Sequence, residues 1–217
     1  MNNRTIQVTG EDSITVTPDH VRVRMNLWVT DEDYEKTQVI GTEQLQRLQE
    51  EFNQLDFSQD ALKTSSYSLS EYYEYVQNDE GESKRVFRGY QLNSRLFIEF
   101  PFENKRLHQV LNTIGKNLAK PELSLEFFKK DEEQAKEELL IRITENAKRK
   151  AQRLSAASGV NLGDLLTINY SWVQVRHAVQ MDYSRSSNRI MAEARDFSFT
   201  PEDIEISDSA TFIWAIE

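Results

Sequence analysis

Three histidines carry the side chains best suited to chemistry near neutral pH, but their spacing gives them no common site. His20, His108 and His177 lie far apart in the sequence and lack the i, i+4 or paired spacing that places metal ligands on one element. His177 keeps some functional interest, because it lies at the mouth of a segment without periodicity and titrates near neutrality. For His20 and His108 we predict surface or edge positions.

Acidic residues form the densest group of candidate proton donors and acceptors. Five of them lie between residues 131 and 138 and could in principle act as general acid and base. Acids in a first helical turn also stabilise the helix through its dipole, and basic residues follow at 148–153, as on an ordinary solvated helix face. We therefore interpret this cluster as structural.

Several reaction classes lack the residues that they require. The chain has no cysteine, which excludes disulfides, thiolate metal sites and cysteine nucleophiles. It has no Gly-x-Ser-x-Gly elbow, and its seven glycines leave little material for a phosphate-binding loop. We predict no catalytic residue, no cofactor and no metal ligand; whether the protein is an enzyme stays open, with a non-enzymatic role favoured.

Charge and hydropathy restrict the partners. A formal net charge of -10 over 217 residues produces a field that repels phosphate backbones, so we expect no nucleic-acid partner. No apolar run is long enough to span a bilayer. Residues 1–5 lead directly into a strand pattern without the apolar core of a signal peptide, and we therefore expect a cytoplasmic protein.

Aromatic side chains are concentrated in one predicted hairpin. Four of them make up the candidate interaction surface: Tyr72, Tyr73, Tyr75 and Phe87. Tyr73 and Tyr75 are expected on one face and Tyr72 on the other, which is more rings than a single core requires. They could pack across the strands of a twisted ribbon, or they could dock on another subunit, where aromatic residues with a polar tip are enriched. The second interpretation predicts a homo-oligomer.

The elements that position this hairpin follow a βαββαβ order. Alternating residues predict a strand over 20–30, and an apolar stripe predicts a helix over 32–55 with Asp31 as its N-cap. Long strands are predicted over 63–76 and 84–100, with a reversing turn at 78–81. On the second of these, Tyr90 is expected on the buried face and Phe87 on the opposite one. A second amphipathic helix and a short strand follow over 107–127.

The remaining segments extend this arrangement. Two short strands joined by a tight connection at Gly10 precede it, and a long helix over 131–158 follows, with an apolar stripe from Ala135 to Leu154 and an end at Gly159. We predict a strand at 166–172, an exposed loop at 177–200 and a final strand at 204–216. The two terminal segments are expected to form sheet edges.

These elements predict an α+β protein with a mainly antiparallel sheet and amphipathic helices packed on it. Its ferredoxin-like βαββαβ start is extended by a long helix and two C-terminal strands, and residues 1–217 are expected to form one domain with a loop insertion at about 177–200. An alternative is an enzyme or small-ligand-binding protein, with a pocket near the long helix and the 164–176 strand formed by Tyr170, Trp172 or His177.

Short motifs along nearly the whole chain resemble the SIMPL-domain family, which includes the bacterial YggE-type proteins. The most specific is the opening, IQVTGE at 6–11 followed by ITVTPD at 14–19. The other similar segments are LKTSSYSL at 62–69, RGYQLNS at 88–94, AKRKA at 147–151 and SGVNLG at 158–163.

The resemblance implies little about chemistry. Family members include proteins that assemble into large ring-like or channel-like oligomers, bacterial proteins linked to oxidative-stress tolerance, and an animal protein that associates with a signalling kinase. No catalytic residues are established in the family, so none is carried over. The resemblance and the residues together favour a non-enzymatic, self-associating protein with a stress-related role.

Overall fold

A computed structural model describes residues 4–77, 83–118, 122–171, 178–183 and 198–217. Eight strands and three helices lie in these ranges. In chain order they are β1 Thr5–Val16, β2 His20–Asp31, α1 Tyr34–Gln54, β3 Lys63–Gln77, β4 Ser83–Pro101, α2 Asn104–Asn117, β5 Glu122–Phe128, α3 Glu133–Ala157, β6 Leu162–Asn169, β7 Ala178–Tyr183 and β8 Ile204–Ile216.

These elements form two compact units that alternate along the chain. The first contains the described residues of Met1–Pro18, Phe128–Val179 and Glu202–Glu217, and the second contains those of Asp19–Phe127 and Gln180–Pro201. Each unit has its own apolar core. The α+β class with antiparallel sheets and packed helices is confirmed, whereas a single domain over 1–217 stays a prediction.

The second unit contains the predicted βαββαβ arrangement. Its sheet has the order β3-β4-β2-β5-β7, and the first four of these strands have the order of a ferredoxin-like sheet. Alternate residues of β2 are buried from Val21 to Val29, because period-two alternation directs them all to one face. The helices α1 and α2 pack on that core through stripes that include Phe52 and Ile114.

The first helix begins two residues later than the sequence predicts. Asp33, not Asp31, is the N-cap: its carboxylate accepts a hydrogen bond from the Lys36 amide at 3.0 Å. Asp31 is the last residue of β2 and accepts a bond from the Asp33 amide instead. Sequence alone could not separate the two, because both are good capping residues at neighbouring positions.

The first unit is a three-stranded antiparallel sheet of order β1-β8-β6, covered by α3. The predicted connection at Gly10 is wrong, because β1 runs continuously and pairs with β8 from Thr5 to Val16. The prediction that both terminal strands are edges is half wrong: β1 is an edge, but β8 lies in the centre of this sheet. Both differences arise because β1 and β8, at opposite ends of the chain, pair with each other.

Gly10 serves a close approach instead of a turn. A Cβ atom at this position would lie 2.0 Å from the Ile143 carbonyl oxygen and 2.9 Å from the Ala147 Cβ. The backbones of β1 and α3 can therefore approach each other only because position 10 has no side chain. Small residues on the facing side of α3, Ala147 and Ala151, are fully buried there.

The long helix α3 ends where the sequence predicts, but one residue of its predicted apolar stripe is not buried. Gly159 has φ 72°, and its amide and that of Val160 donate to the carbonyls of Ala156 and Ser155, which is a Schellman end. Leu154 is 52% exposed, and Ser155 is buried in its place. Steps of four residues from Ala147 and Ala151 lead to position 155 rather than 154.

The C-terminal predictions also change in part. The strand β6 spans Leu162–Asn169, so it begins earlier than predicted, and its Leu166 and Ile168 are exposed. Within the predicted loop at 177–200, residues 178–183 form β7 at the edge of the five-stranded sheet. Residues 177 and 184–197 of that loop, and the predicted turn at 78–81, lie outside the described residues.

We expect Gly10→Ala to lower the free energy of unfolding by about 3 kcal/mol, because the new methyl group forces β1 and α3 apart. Chemical denaturation measures the loss. Gly159→Ala is the control: nothing lies within 4 Å of its added Cβ, so only the left-handed backbone costs energy, about 1 kcal/mol. Equal losses for the two variants would contradict the close approach at Gly10.

Candidate interaction surface

The predicted aromatic hairpin forms an arm that extends beyond the rest of its sheet. The strand β2 pairs with β4 from His20 to Asp31, and its last partner on β4 is Tyr90. Within the described part of the chain, residues 83–89 of β4 therefore pair only with residues 72–77 of β3. We call these two segments the hairpin arm. A two-stranded ribbon has marginal stability in water, so the side chains of the arm must supply much of its order.

A bulge at Gly89 changes which side chains share a face of the arm. The register shifts between Tyr72, which pairs with Gly89, and Tyr73, which pairs with Phe87. The extra residue reverses the alternation, so that the Phe87 ring packs against the Tyr90 ring. The prediction that Phe87 and Tyr90 lie on opposite faces is therefore wrong, since simple period-two counting ignores a bulge.

The rings on this face form a row of edge contacts. Ring centroids are 5.5 Å apart between Tyr73 and Phe87, 5.6 Å between Phe87 and Tyr90, and 5.3 Å between Tyr90 and Tyr34 of α1. The Arg85 guanidinium lies over the Tyr73 ring at 3.7 Å. Contacts of these kinds each contribute about 0.5–1.5 kcal/mol, so the row connects the arm to the helix.

The four predicted surface residues differ in how they are placed. Tyr75 is 75% exposed and Phe87 is 47% exposed, whereas Tyr72 and Tyr73 are half-buried. The Tyr72 hydroxyl donates to Glu74 and the Tyr73 hydroxyl to Glu71, and these carboxylate acceptors raise the pKa of both phenols. Tyr73 and Phe87 thus contribute to cross-strand packing, and Tyr75 extends into solvent. Their role in an interface stays a prediction.

Each of the other described candidates contacts a neighbour of its own. His20 contacts the Asp19 carboxylate at 2.8 Å, and His108 lies against the Phe199 ring. Asp131 accepts a hydrogen bond from the Glu133 amide at the start of α3, as a structural acid does. Across the described residues, no three His, Cys, Asp or Glu side chains are placed to hold a metal ion.

The alternative pocket near α3 and the 164–176 strand has one described candidate. The Tyr170 hydroxyl donates to an Asp208 carboxylate oxygen at 2.8 Å, and burial together with this bond raises the pKa of Tyr170 to about 12. Trp172 and His177 lie outside the described residues. An open cleft in the same unit is lined only by acidic and serine side chains, namely Glu11, Asp12, Ser13, Ser207, Asp208 and Ser209.

One polar cluster was not predicted. On β2, the guanidinium groups of Arg22 and Arg24 both bind a Glu126 carboxylate oxygen, and Arg22 also binds Glu99. The Glu126 side chain is almost fully buried. Alternation on β2 identifies the two arginines as outward-facing, but only the pairing of β2 with β4 and β5 brings the acids to them. Every charge in this cluster has a partner, as a structural ion network requires.

The chain also matches a known protein family. The family described as SIMPL, a protein of unknown function (DUF541), matches residues 6–214, which is nearly the whole chain. The chain therefore belongs to the SIMPL family, as its motifs predict. No curated protein gives a significant match. None of the helices in the described part of the chain is long and apolar enough to cross a membrane.

We expect Phe87→Ala to loosen the hairpin arm, because it removes the central ring of the row. Amide hydrogen exchange at residues 72–77 and 83–89 should become faster by about tenfold, which corresponds to about 1.4 kcal/mol. Val39→Ala is the control, since it removes an exposed apolar side chain from α1 of the same unit and leaves every ring of the row in place. Unchanged exchange in the Phe87 variant would show that the row does not hold the arm.

A second prediction concerns Tyr170. Its folded-state pKa of about 12 lies above the ordinary value of 10.0, so the folded protein retains the phenolic proton where the unfolded chain loses it. The stabilisation is complete below pH 10 and disappears as the pH rises through 12. Denaturation of the wild type and of Tyr170→Phe should differ by a constant amount below pH 10 and by progressively less above it. A difference that grows with pH would contradict the bond to Asp208.

Proposed function

We propose that this SIMPL-family protein is a non-enzymatic protein that associates with copies of itself through the hairpin arm. The observation that carries the proposal is the exposure of Tyr75 and Phe87 at the end of a two-stranded ribbon. Tyrosine and phenylalanine rings are enriched at protein interfaces, because a partner that covers them removes their apolar area from water.

The stability of the arm supports the same proposal. The rings of Tyr73 and Phe87 contact each other across its two strands, while the Tyr75 ring contacts no other ring among the described residues. A ribbon of this kind gains order when a second surface covers its exposed rings. Docking on another copy supplies such a surface without a further partner.

A second exposed apolar region is consistent with association. On the edge strand β6, Leu165, Leu166 and Ile168 are each about half exposed. Apolar edge strands are usually protected from pairing with other chains. The first unit therefore has an apolar edge of its own, which could contribute to assembly in addition to the arm.

The alternative, a ligand-binding protein or enzyme near α3, receives less support. The hydroxyl of Tyr170 is engaged by Asp208, and the neighbouring cleft is open and acidic. Pockets for small molecules are usually concave and mostly apolar with a few convergent polar groups. This alternative, the stress-related role and the cytoplasmic location stay predictions.

Sedimentation velocity tests the proposal. The wild-type protein should sediment as an oligomer at micromolar concentration, and Tyr75→Ser should weaken association by about tenfold or more, as loss of an aromatic interface contact does. Val39→Ser is the control, because it removes another exposed apolar side chain, 53% exposed against 75% for Tyr75, from α1 of the same unit. A monomeric wild type, or equal effects of the two substitutions, would refute association through the arm.

A further inference from the structure

We propose that the outer edge of β3 pairs antiparallel with β3 of a second copy of this chain, about a twofold axis near Ser70. This inference rests on the proposed self-association and names the surface that carries it. Among the described residues, β3 is the terminal strand of the five-stranded sheet and is hydrogen-bonded to β4 alone. Its other edge therefore presents a row of main-chain donors and acceptors to a partner.

This edge lacks most of the devices that prevent sheets from associating. Natural edge strands are kept short or are blunted by proline, lysine and inward-pointing charges. The strand β3 has 15 residues, contains no proline or glycine, and carries its single lysine at its first position, Lys63. Its protective features are the carboxylates of Glu71 and Glu74 and two irregularities in its pairing with β4, between Thr64 and Ser66 and between Tyr72 and Tyr73; the extra residue of the second lies on β4. From Ser66 to Gln77 the edge is uninterrupted on the β3 side.

The charges of β3 favour one orientation of pairing with a second copy. The first half of the strand carries Lys63, and the second half carries Glu71 and Glu74. Antiparallel pairing of two copies about Ser70 places none of these charges opposite a like charge, because Lys63 faces Gln77, Glu71 faces Leu69 and Glu74 faces Ser66. A parallel alignment in register would instead place Lys63, Glu71 and Glu74 opposite their own counterparts, and like charges directly opposite destabilise a sheet. The charges of β3 are thus compatible with self-pairing in the antiparallel sense and not in the parallel sense.

Full overlap of the two strands fixes which residues meet. Ser70 is the eighth of the 15 residues, so it faces Ser70 of the second copy. Glu74 then faces Ser66, and Tyr67 faces Tyr73, which gives an aromatic pair on each side of the axis. Serines at alternate positions around the axis are exposed and small, so they allow close approach of the second strand. The pairing joins two five-stranded sheets into one.

Cysteine cross-linking tests this arrangement directly, because the chain has no cysteine of its own. The variants are Ser66→Cys, Ser68→Cys and Ser70→Cys, which project from one face of β3, and Ser58→Cys is an exposed control in the same unit. Each full-length variant is oxidised mildly, and the rate of covalent dimer formation is compared with its sedimentation. Serine-to-cysteine changes on an exposed strand leave the fold intact, and sedimentation verifies assembly of every variant.

A twofold antiparallel pair allows only the position nearest the axis to react with itself. We expect Ser70→Cys to form covalent dimer at least about tenfold faster than Ser58→Cys, because pairing raises the effective concentration of the two thiols. Fast reaction at Ser66 or Ser68 alone supports the same pairing in a shifted register. Equal reaction at all three serines indicates parallel pairing and overturns the proposal.

The remaining outcomes separate this inference from the proposed function. If the protein sediments as an oligomer and none of the three cysteines, alone or in a mixture of Ser68→Cys with Ser70→Cys, reacts faster than the control, the β3 pairing is wrong and self-association stands. If the wild-type protein is monomeric, both proposals fail. Rapid cross-linking in an oligomer supports both.

Discussion

The difference in length between neighbouring strands is the constraint on which the second unit depends. The strand β4 has 19 residues, whereas β2 has 12 and ends opposite Tyr90. Main-chain groups in a strand need partners, and among the described residues only β3 supplies them to β4 beyond Tyr90. The same strand pairing therefore builds the ferredoxin-like core at one end and leaves a two-stranded arm at the other.

The side chains of the arm follow from that geometry. Near the core, α1 and α2 cover one face of the sheet, and burial of residues such as Leu92 and Ile98 stabilises it. Beyond the helices, no described element packs on this face of the hairpin arm. The row of rings from Tyr34 to Tyr73 supplies the apolar contacts there. Aromatic side chains therefore pack where a helix would otherwise lie, and Tyr75 remains exposed to water.

Two buried or half-buried polar groups of the described residues are paired with side chains of the protein. The buried Glu126 is matched by two arginines, and the Tyr170 hydroxyl by Asp208. Such pairing offsets the cost of removing charged and polar groups from water. A reacting site needs groups that converge on a substrate instead of on each other. The proposal of self-association rests instead on the exposed rings of the hairpin arm.

The sequence by itself determined the class, the βαββαβ order, the hairpin and the end of α3 at Gly159, because each depends on local periodicity or on backbone conformation. Tertiary structure alone decided that β1 is continuous, that β8 is central, and that Gly10 exists for contact with α3, since these depend on pairing between the two ends of the chain. It also decided the face of Phe87, because a bulge at Gly89 reverses the alternation and only the register with β3 locates it. Residue types predicted an aromatic arm; strand pairing determined which of its rings remain available to a partner.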